Sequence, residues 1–189
     1  MLRKEIERNR SCISIITSKD SISYNGDREG SSIIPSASQL VITDGSLVKS
    51  PIDFKAILEK CICLHSIVIG SNCLRKTSSL IINASPHLHT LRVGDNSFTS
   101  NETESQGQLI IRSCPFLTSI SIGKGSFRNA KTVCLSNLQQ LVTIEIDATA
   151  FQNCSEFSVI ECELLPTLSF ESKSLPRIAK LCIQSRKIF

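Results

Sequence analysis

Four residues with metal-ligand chemistry fall into register with one another. Cys63 and His65 stand 24 residues before His87 and His89, and the set contains all three histidines of the chain. A thiolate and three imidazoles within a few ångströms could hold Zn²⁺ in tetrahedral geometry. The spacing matches no standard zinc motif, and the next equivalent positions carry Phe116 and Thr118. The expectation is that these are polar side chains on an exposed edge, with no metal and no cofactor.

The cysteines pose the second chemical question. Nine would suit a disulfide framework, but such frameworks belong to small secreted chains. The opening MLRKEIERNR is charged, and Cys12 to Thr17 alternates with polar residues instead of forming the apolar core of a secretory leader. The thiols are therefore read as reduced. Cys61, Cys114 and Cys162 share one column of the repeat described below, and Cys134 and Cys182 share another. A cysteine that recurs in a repeat column behaves as a small buried hydrophobe rather than a nucleophile. The sequence contains no glycine-rich phosphate loop, GxSxG elbow or HExxH, and no catalytic Cys-His pair stands out, so an enzyme is not expected. The sequons Asn83-Ala-Ser85, Asn101-Glu-Thr103 and Asn153-Cys-Ser155 are background in the absence of a leader.

Composition narrows the partners. With 41% hydrophobic residues in 189, no Trp and one Tyr, the core must be aliphatic, which suits many short strands in one domain or a short repeat array. The net charge of +4 is carried mainly by the ends, with Arg3, Lys4, Arg8 and Arg10 at one and Lys173, Arg177, Lys180, Arg186 and Lys187 at the other. No basic stripe with interleaved aromatics is present, so nucleic acid is not an expected partner. No apolar run approaches the roughly 20 residues that span a bilayer, so neither is a membrane. A cytoplasmic location follows as an expectation.

The elements that would position these residues come from a repeat. One unit has the form LxxIxI followed by Gly or an acid: Leu64-His-Ser-Ile-Val-Ile-Gly70, then units starting at Leu88, Leu117, Leu141 and Leu165, at spacings of 24, 29, 24 and 24. A second apolar pair keeps the same steps through Leu80/Ile82, Leu109/Ile111, Val133/Leu135, Phe157/Val159 and Leu181/Ile183. A fixed period of this size signals stacked coils, here with two short strands each. The extra five residues fall in the polar stretch 99–107, which is expected to bulge as a loop. A third column pairs a small residue with a large apolar one in Cys73-Leu74, Ser97-Phe98, Ser126-Phe127, Ala150-Phe151 and Ser174-Leu175. These read as the coil's corner, with Gly70, Gly94 and Gly123 supplying torsional freedom just before it.

At this point the chain resembles leucine-rich-repeat proteins, most closely the BspA-like class of bacteria and protists. Ala150-Phe151-Gln-Asn-Cys154-Ser-Glu-Phe157 looks like that class's AFxxCxxL segment, and Ser126-Phe127-Arg-Asn-Ala130 is a looser copy. The resemblance covers about residues 60 to 185. Where that class tends to place Pro after the IxI strand, this chain has Gly, Asp or Glu. The resemblance implies a curved solenoid with parallel sheets that serves as a ligand-binding scaffold.

The expected fold is thus mainly β: a leucine-rich-repeat-type solenoid over 63–189, preceded by a cap-like segment over 1–62. That segment contains strand-like runs such as Gln39 to Thr43 and ends in a helix from Ser50, with Pro51 at its first turn, to about Ile62. Stacking turns repeat columns into ladders about 4.8 Å apart. On the first strand, Ser66, Thr90, Ser119, Thr143 and Thr167 form a hydroxyl ladder facing outward, and Val68, Arg92, Ser121, Glu145 and Ser169 form a mixed one. The expected function is a protein-protein interaction scaffold that binds a protein on this face, with Arg92 and Glu145 as specificity contacts. Outward positions of the second strand, Ile81, Ile110, Cys134, Ser158 and Cys182, are more apolar than exposure requires and are either covered by corner residues or a contact. Residues 183 to 189 stop within a coil, so the chain either forms a homo-oligomer through its C-terminal end or belongs to a longer array. The alternatives to a scaffold are a self-assembling structural module and a fragment of a cell-surface adhesin or receptor.

Overall fold

A computed structural model of the chain describes residues 38–42, 44–45, 58–59, 61–100, 107–165, 169–171 and 173–184. They form a parallel β-solenoid of about five coils. The strands are β1 (Gln39–Ile42), β2 (Ser66–Ile69), β3 (Leu80–Asn83), β4 (Thr90–Val93), β5 (Gly107–Arg112), β6 (Ser119–Ile122), β7 (Ala130–Ser136), β8 (Thr143–Ile146), β9 (Glu156–Ile160), β10 (Ser169–Phe170) and β11 (Lys180–Gln184). The first sheet has the order β1-β2-β4-β6-β8-β10 and the second β11-β9-β7-β5-β3, with every pairing parallel. Successive coils therefore add one strand to each sheet.

Each strand forms because apolar residues alternate with polar ones, and the alternation sends one set inward. Ile67, Leu91, Ile120 and Ile144 stack in one interior column of the first sheet, and Ile69, Val93, Ile122 and Ile146 in the next. Leu80, Leu109, Val133 and Phe157 face them from the second sheet, with Ile82, Ile111, Leu135 and Val159 beside them. All are buried, and each such aliphatic side chain stabilises the fold by about 1.5–3 kcal/mol relative to exposure.

The 29-residue step is absorbed between β4 and β5. Pairing resumes with a register shift in which Gly107 lies opposite Ala130 but Gln108 opposite Thr132, leaving Lys131 as an extra residue in β7. Of the polar stretch 99–107, residues 101–106 lie outside the described set, Thr99 is half-buried, Ser100 is buried, and Gly107 already belongs to β5.

The corner follows different torsional rules from those expected. Gly70, Gly94 and Gly123 do not have positive φ. The left-handed residues are instead Asn72, Asn96, Gly125, Thr149 and Lys173, and two positions later the large apolar ones: Leu74, Phe98, Phe127, Phe151 and Leu175, at φ of 50–55°. A non-glycine residue there costs about 1–2 kcal/mol. What offsets it is that the turn drives each large side chain into the interior: Phe98, Phe127 and Phe151 are fully buried, with ring centroids 4.3 and 5.4 Å apart and planes within about 11° of parallel. The glycines are required for a different reason. A Cβ on Gly94 would lie 2.7 Å from the carbonyl carbon of Gly70, and one on Gly123 2.6 Å from that of Gly94, so these positions admit no side chain where one coil rests on the next.

Buried hydroxyls tie the corner from coil to coil. Ser97 Oγ donates to Gly70 O (2.8 Å) and accepts from Cys73 N (3.1 Å); one coil on, Ser126 Oγ donates to Gly94 O (2.7 Å) and accepts from Ser97 N (3.0 Å). Further round, Asn129 Nδ2 donates to Ser100 O, Asn153 Nδ2 to Asn129 Oδ1 and Arg177 to Asn153 Oδ1, at 2.7, 2.8 and 3.1 Å.

The run at Gln39 is a strand as expected, and it pairs in register with Ser66–Ile69 as the first strand of that sheet among the described residues. The expected helix over 50–62 lies mostly outside the described residues; of its span, Leu58 and Glu59 are helical, while Cys61 and Ile62 belong to the turn closed by Leu64 N donating to Cys61 O.

Candidate binding face

The outer face of the first sheet collects the residues singled out by the repeat. In one column Gln39, Ser66, Thr90, Ser119 and Thr143 lie side by side; in the next, Val41, Val68, Arg92, Ser121, Glu145 and Ser169. Side chains alternate across a strand, so the residues of these two columns in β1, β2, β4, β6 and β8 share the solvent side while Ile67, Leu91 and their equivalents hold it against the core. Thr167 lies outside the described residues.

Within the hydroxyl column Thr90 Oγ1 donates to Ser66 Oγ at 3.0 Å, the lateral contact that a parallel ladder makes available. Ser66, Val68, Thr90, Ser119 and Ser121 are half-buried, whereas Arg92, Thr143 and Glu145 are exposed. Arg92 and Glu145 stand in one column on either side of Ser121, separated by about twice the 4.8 Å strand spacing. The result is a low, hydroxyl-rich surface with, among the described residues of the two columns, one cation and one anion projecting from it. Gln39 and Val41 extend the face by one strand. Their signal in the sequence was the apolar alternation of Leu40 and Ile42, but the step from Gln39 to Ser66 is 27 residues and falls off the period.

The opposite face carries Ile81, Ile110, Cys134, Ser158 and Cys182 in one column, as the repeat requires. Ile81 is exposed and the other four are half-buried. The Arg112 guanidinium reaches over this column to donate to Cys134 Sγ at 3.6 Å.

The histidine cluster is assembled, but as a stack. The rings of His65 and His89 lie 5.4 Å apart at 11°, His65 and His87 5.8 Å apart at 22°, and His89 continues onto Phe116 at 5.9 Å and 11°. Nδ1 of His65 contacts Cys63 O at 2.7 Å and Nδ1 of His89 contacts His87 O at 2.6 Å; a carbonyl only accepts, so Nδ1 is the protonated nitrogen in both. An imidazole lone pair lies in its ring plane, and near-parallel planes about 5 Å apart do not converge on one ion at the roughly 2 Å that zinc requires. Among the described residues no group of three or more His, Cys, Asp or Glu side chains is placed to hold a metal.

The thiols lie where the repeat columns put them. Cys61, Cys114 and Cys162 are buried, as are Cys73 and Cys154. Burial pushes the thiols of Cys61, Cys114 and Cys162 up and raises Cys154 to about 11, so the thiolate that nucleophilic chemistry needs is disfavoured. A cleft of about 490 Å³ is lined mainly by Leu58, Cys61, Ile62, Ile81 and Pro86, with Glu59 the one carboxylate among the described lining residues. No described helix is long and apolar enough to cross a membrane.

Comparison with protein-family models, with curated proteins and with solved structures found no match.

Proposed function

We propose that this chain is a non-enzymatic protein-interaction scaffold, of leucine-rich-repeat type and working in the cytoplasm, that docks a protein partner on the outer face of its first sheet. The observation that carries this reading is the paired-column surface itself. Ser66, Thr90, Ser119 and Thr143 form a low ladder held rigid by the sheet, and Arg92 and Glu145 project from it with opposite charge. A rigid face costs little conformational entropy on binding, and opposite charges at fixed separation set orientation and exclude mismatched partners.

The test is affinity capture from a native lysate with the full chain and with the double charge reversal Arg92→Glu/Glu145→Lys. Both side chains are exposed, so thermal stability should change by no more than about 0.5 kcal/mol. A reproducible partner that the wild type captures and the double variant loses supports the reading. Capture of the same proteins by both, or of none by the wild type, refutes it.

A further inference from the structure

Resting on the docking role proposed above, we infer that the partner of the first-sheet face is a second copy of this chain, laid face to face about a two-fold axis that runs along β6. The residues on either side of β6 make the face its own complement.

Arg92 and Glu145 occupy one column, one strand to either side of Ser121. Both are exposed, and among the described residues neither has a hydrogen bond or an ion pair. A half-turn about the β6 direction brings the outer face of the second copy onto the first, keeps each residue at its own level along the strand and reverses the order of the coils. β4 then lies over β8 of the second copy, so Arg92 meets Glu145 and Glu145 meets Arg92. One symmetry operation thus supplies two ion pairs, as an isologous contact requires. This happens because the two charges are opposite in sign and equally distant from β6. The repeat imposes neither condition, since the same column carries Val68 in β2 and Ser121 in β6.

The other face-to-face two-fold, along the stack of coils, keeps β4 over β4 and β8 over β8. It leaves Arg92 two strands away from Glu145 of the second copy and gathers like charges on like strands. Charge complementarity therefore selects the axis along β6. Exposure of this face does not come from where the stack stops, because β4, β6 and β8 each have a described neighbour on both sides.

The rest of the face fits the same axis. Ser119 and Ser121 meet their counterparts and Thr90 meets Thr143, and hydroxyls both donate and accept, so the ladder can bond to its own image. These side chains are short, which lets the sheets approach while Arg92 and Glu145 reach across. At one rim Phe116, 42% exposed, comes beside its counterpart, and His89 comes opposite Val142, 46% exposed, which adds an apolar margin. At the other rim Lys124 comes near its counterpart, with Asp95 and Asp147 on the flanking coils as counter-charge. Five strands four residues deep cover about 24 by 13 Å, less than the roughly 800 Å² per partner of a standard interface, so the pair is weak and reversible.

The test is sedimentation equilibrium of the full chain under reducing conditions, from about 1 µM to about 1 mM, at low and at high salt. The expected result is a mass that rises with concentration from 20.8 kDa towards twice that value and no further, and that falls back when salt screens the ion pairs. Arg92→Glu and Glu145→Lys each set like charges at both contacts, and each should raise the dissociation constant at least about tenfold. The double variant Arg92→Glu/Glu145→Lys restores opposite charges between its own copies, so it should dimerise like the wild type yet not pair with tagged wild-type chain. A strict monomer, assemblies larger than two, single variants that dimerise like the wild type, or a double variant with a wild-type circular dichroism spectrum that stays monomeric would each overturn the inference. A wild type that stays monomeric but captures a lysate protein through the two charges would overturn the second copy as partner and leave the docking role standing.

Discussion

Replacing Ser126 by Ala tests whether the buried hydroxyls at the corner clamp one coil to the next. Ser126 is fully buried; its Oγ donates to Gly94 O at 2.7 Å and accepts from Ser97 N at 3.0 Å, so alanine removes two inter-coil hydrogen bonds at once. Losing the net value of one bond, about 0.5–1.5 kcal/mol, and leaving a buried donor without its acceptor, about 1–3 kcal/mol, sums to about 3 kcal/mol of destabilisation. For a chain of this length that lowers the melting temperature by about 6–12 °C. Urea titrations of Ser126→Ala, with Ser121→Ala on the outer face as the control, measure it; the control should lie within about 0.5 kcal/mol of wild type. The column supplies its own counter-case. At the next coil the position is Ala150, and there Ser126 N donates to Gly123 O within its own coil at 3.3 Å. If Ser97 N can turn to its own coil in the same way, the loss would fall below about 0.5 kcal/mol, and the reasoning that the hydroxyl holds the stack together would fail.

Other perturbations follow from the same contacts. Gly94→Ala would force a Cβ to 2.7 Å from Gly70 C and Ser71 N, and should destabilise the fold by about 1–3 kcal/mol despite adding only a methyl group; a melt at the wild-type temperature would mean that the coils separate freely there. Cys154 has its thiol raised from 9.0 to about 11, chiefly by burial, with Cys61, Cys114 and Cys162 moved the same way. A raised thiol pKa means the folded state keeps its proton where the unfolded chain has lost it, so stability is full below pH 9 and declines as pH rises towards 11. Urea titrations between pH 8 and 10.5 should show that decline, shallower in Cys154→Ala; identical slopes would remove the thiol from the explanation.

The interior columns were readable because burial selects the same residue type at the same step: Ile67, Leu91, Ile120 and Ile144 had to be apolar whatever lay between them, so period and register came together. The two columns of the candidate face followed by alternation. β1 was recognisable as a strand but not as a neighbour of β2, since pairing across a 27-residue step leaves no periodic trace. The histidines were correctly placed side by side, yet their spacing could not reveal that the rings stack, because ring orientation is set by the carbonyls of Cys63 and His87 to which Nδ1 is bonded.

The amino-acid sequence by itself determined the period, the two strands per coil and the identity of the inward and outward columns, since these depend only on which side chains leave water. The tertiary structure alone decided the left-handed torsions at Phe98, Phe127 and Phe151, the closeness of coils at Gly94 and Gly123, and the hydroxyl clamp of Ser97 and Ser126. Each of these is a relation between atoms on adjacent coils, and it exists only once the next turn of the solenoid has been laid against the last.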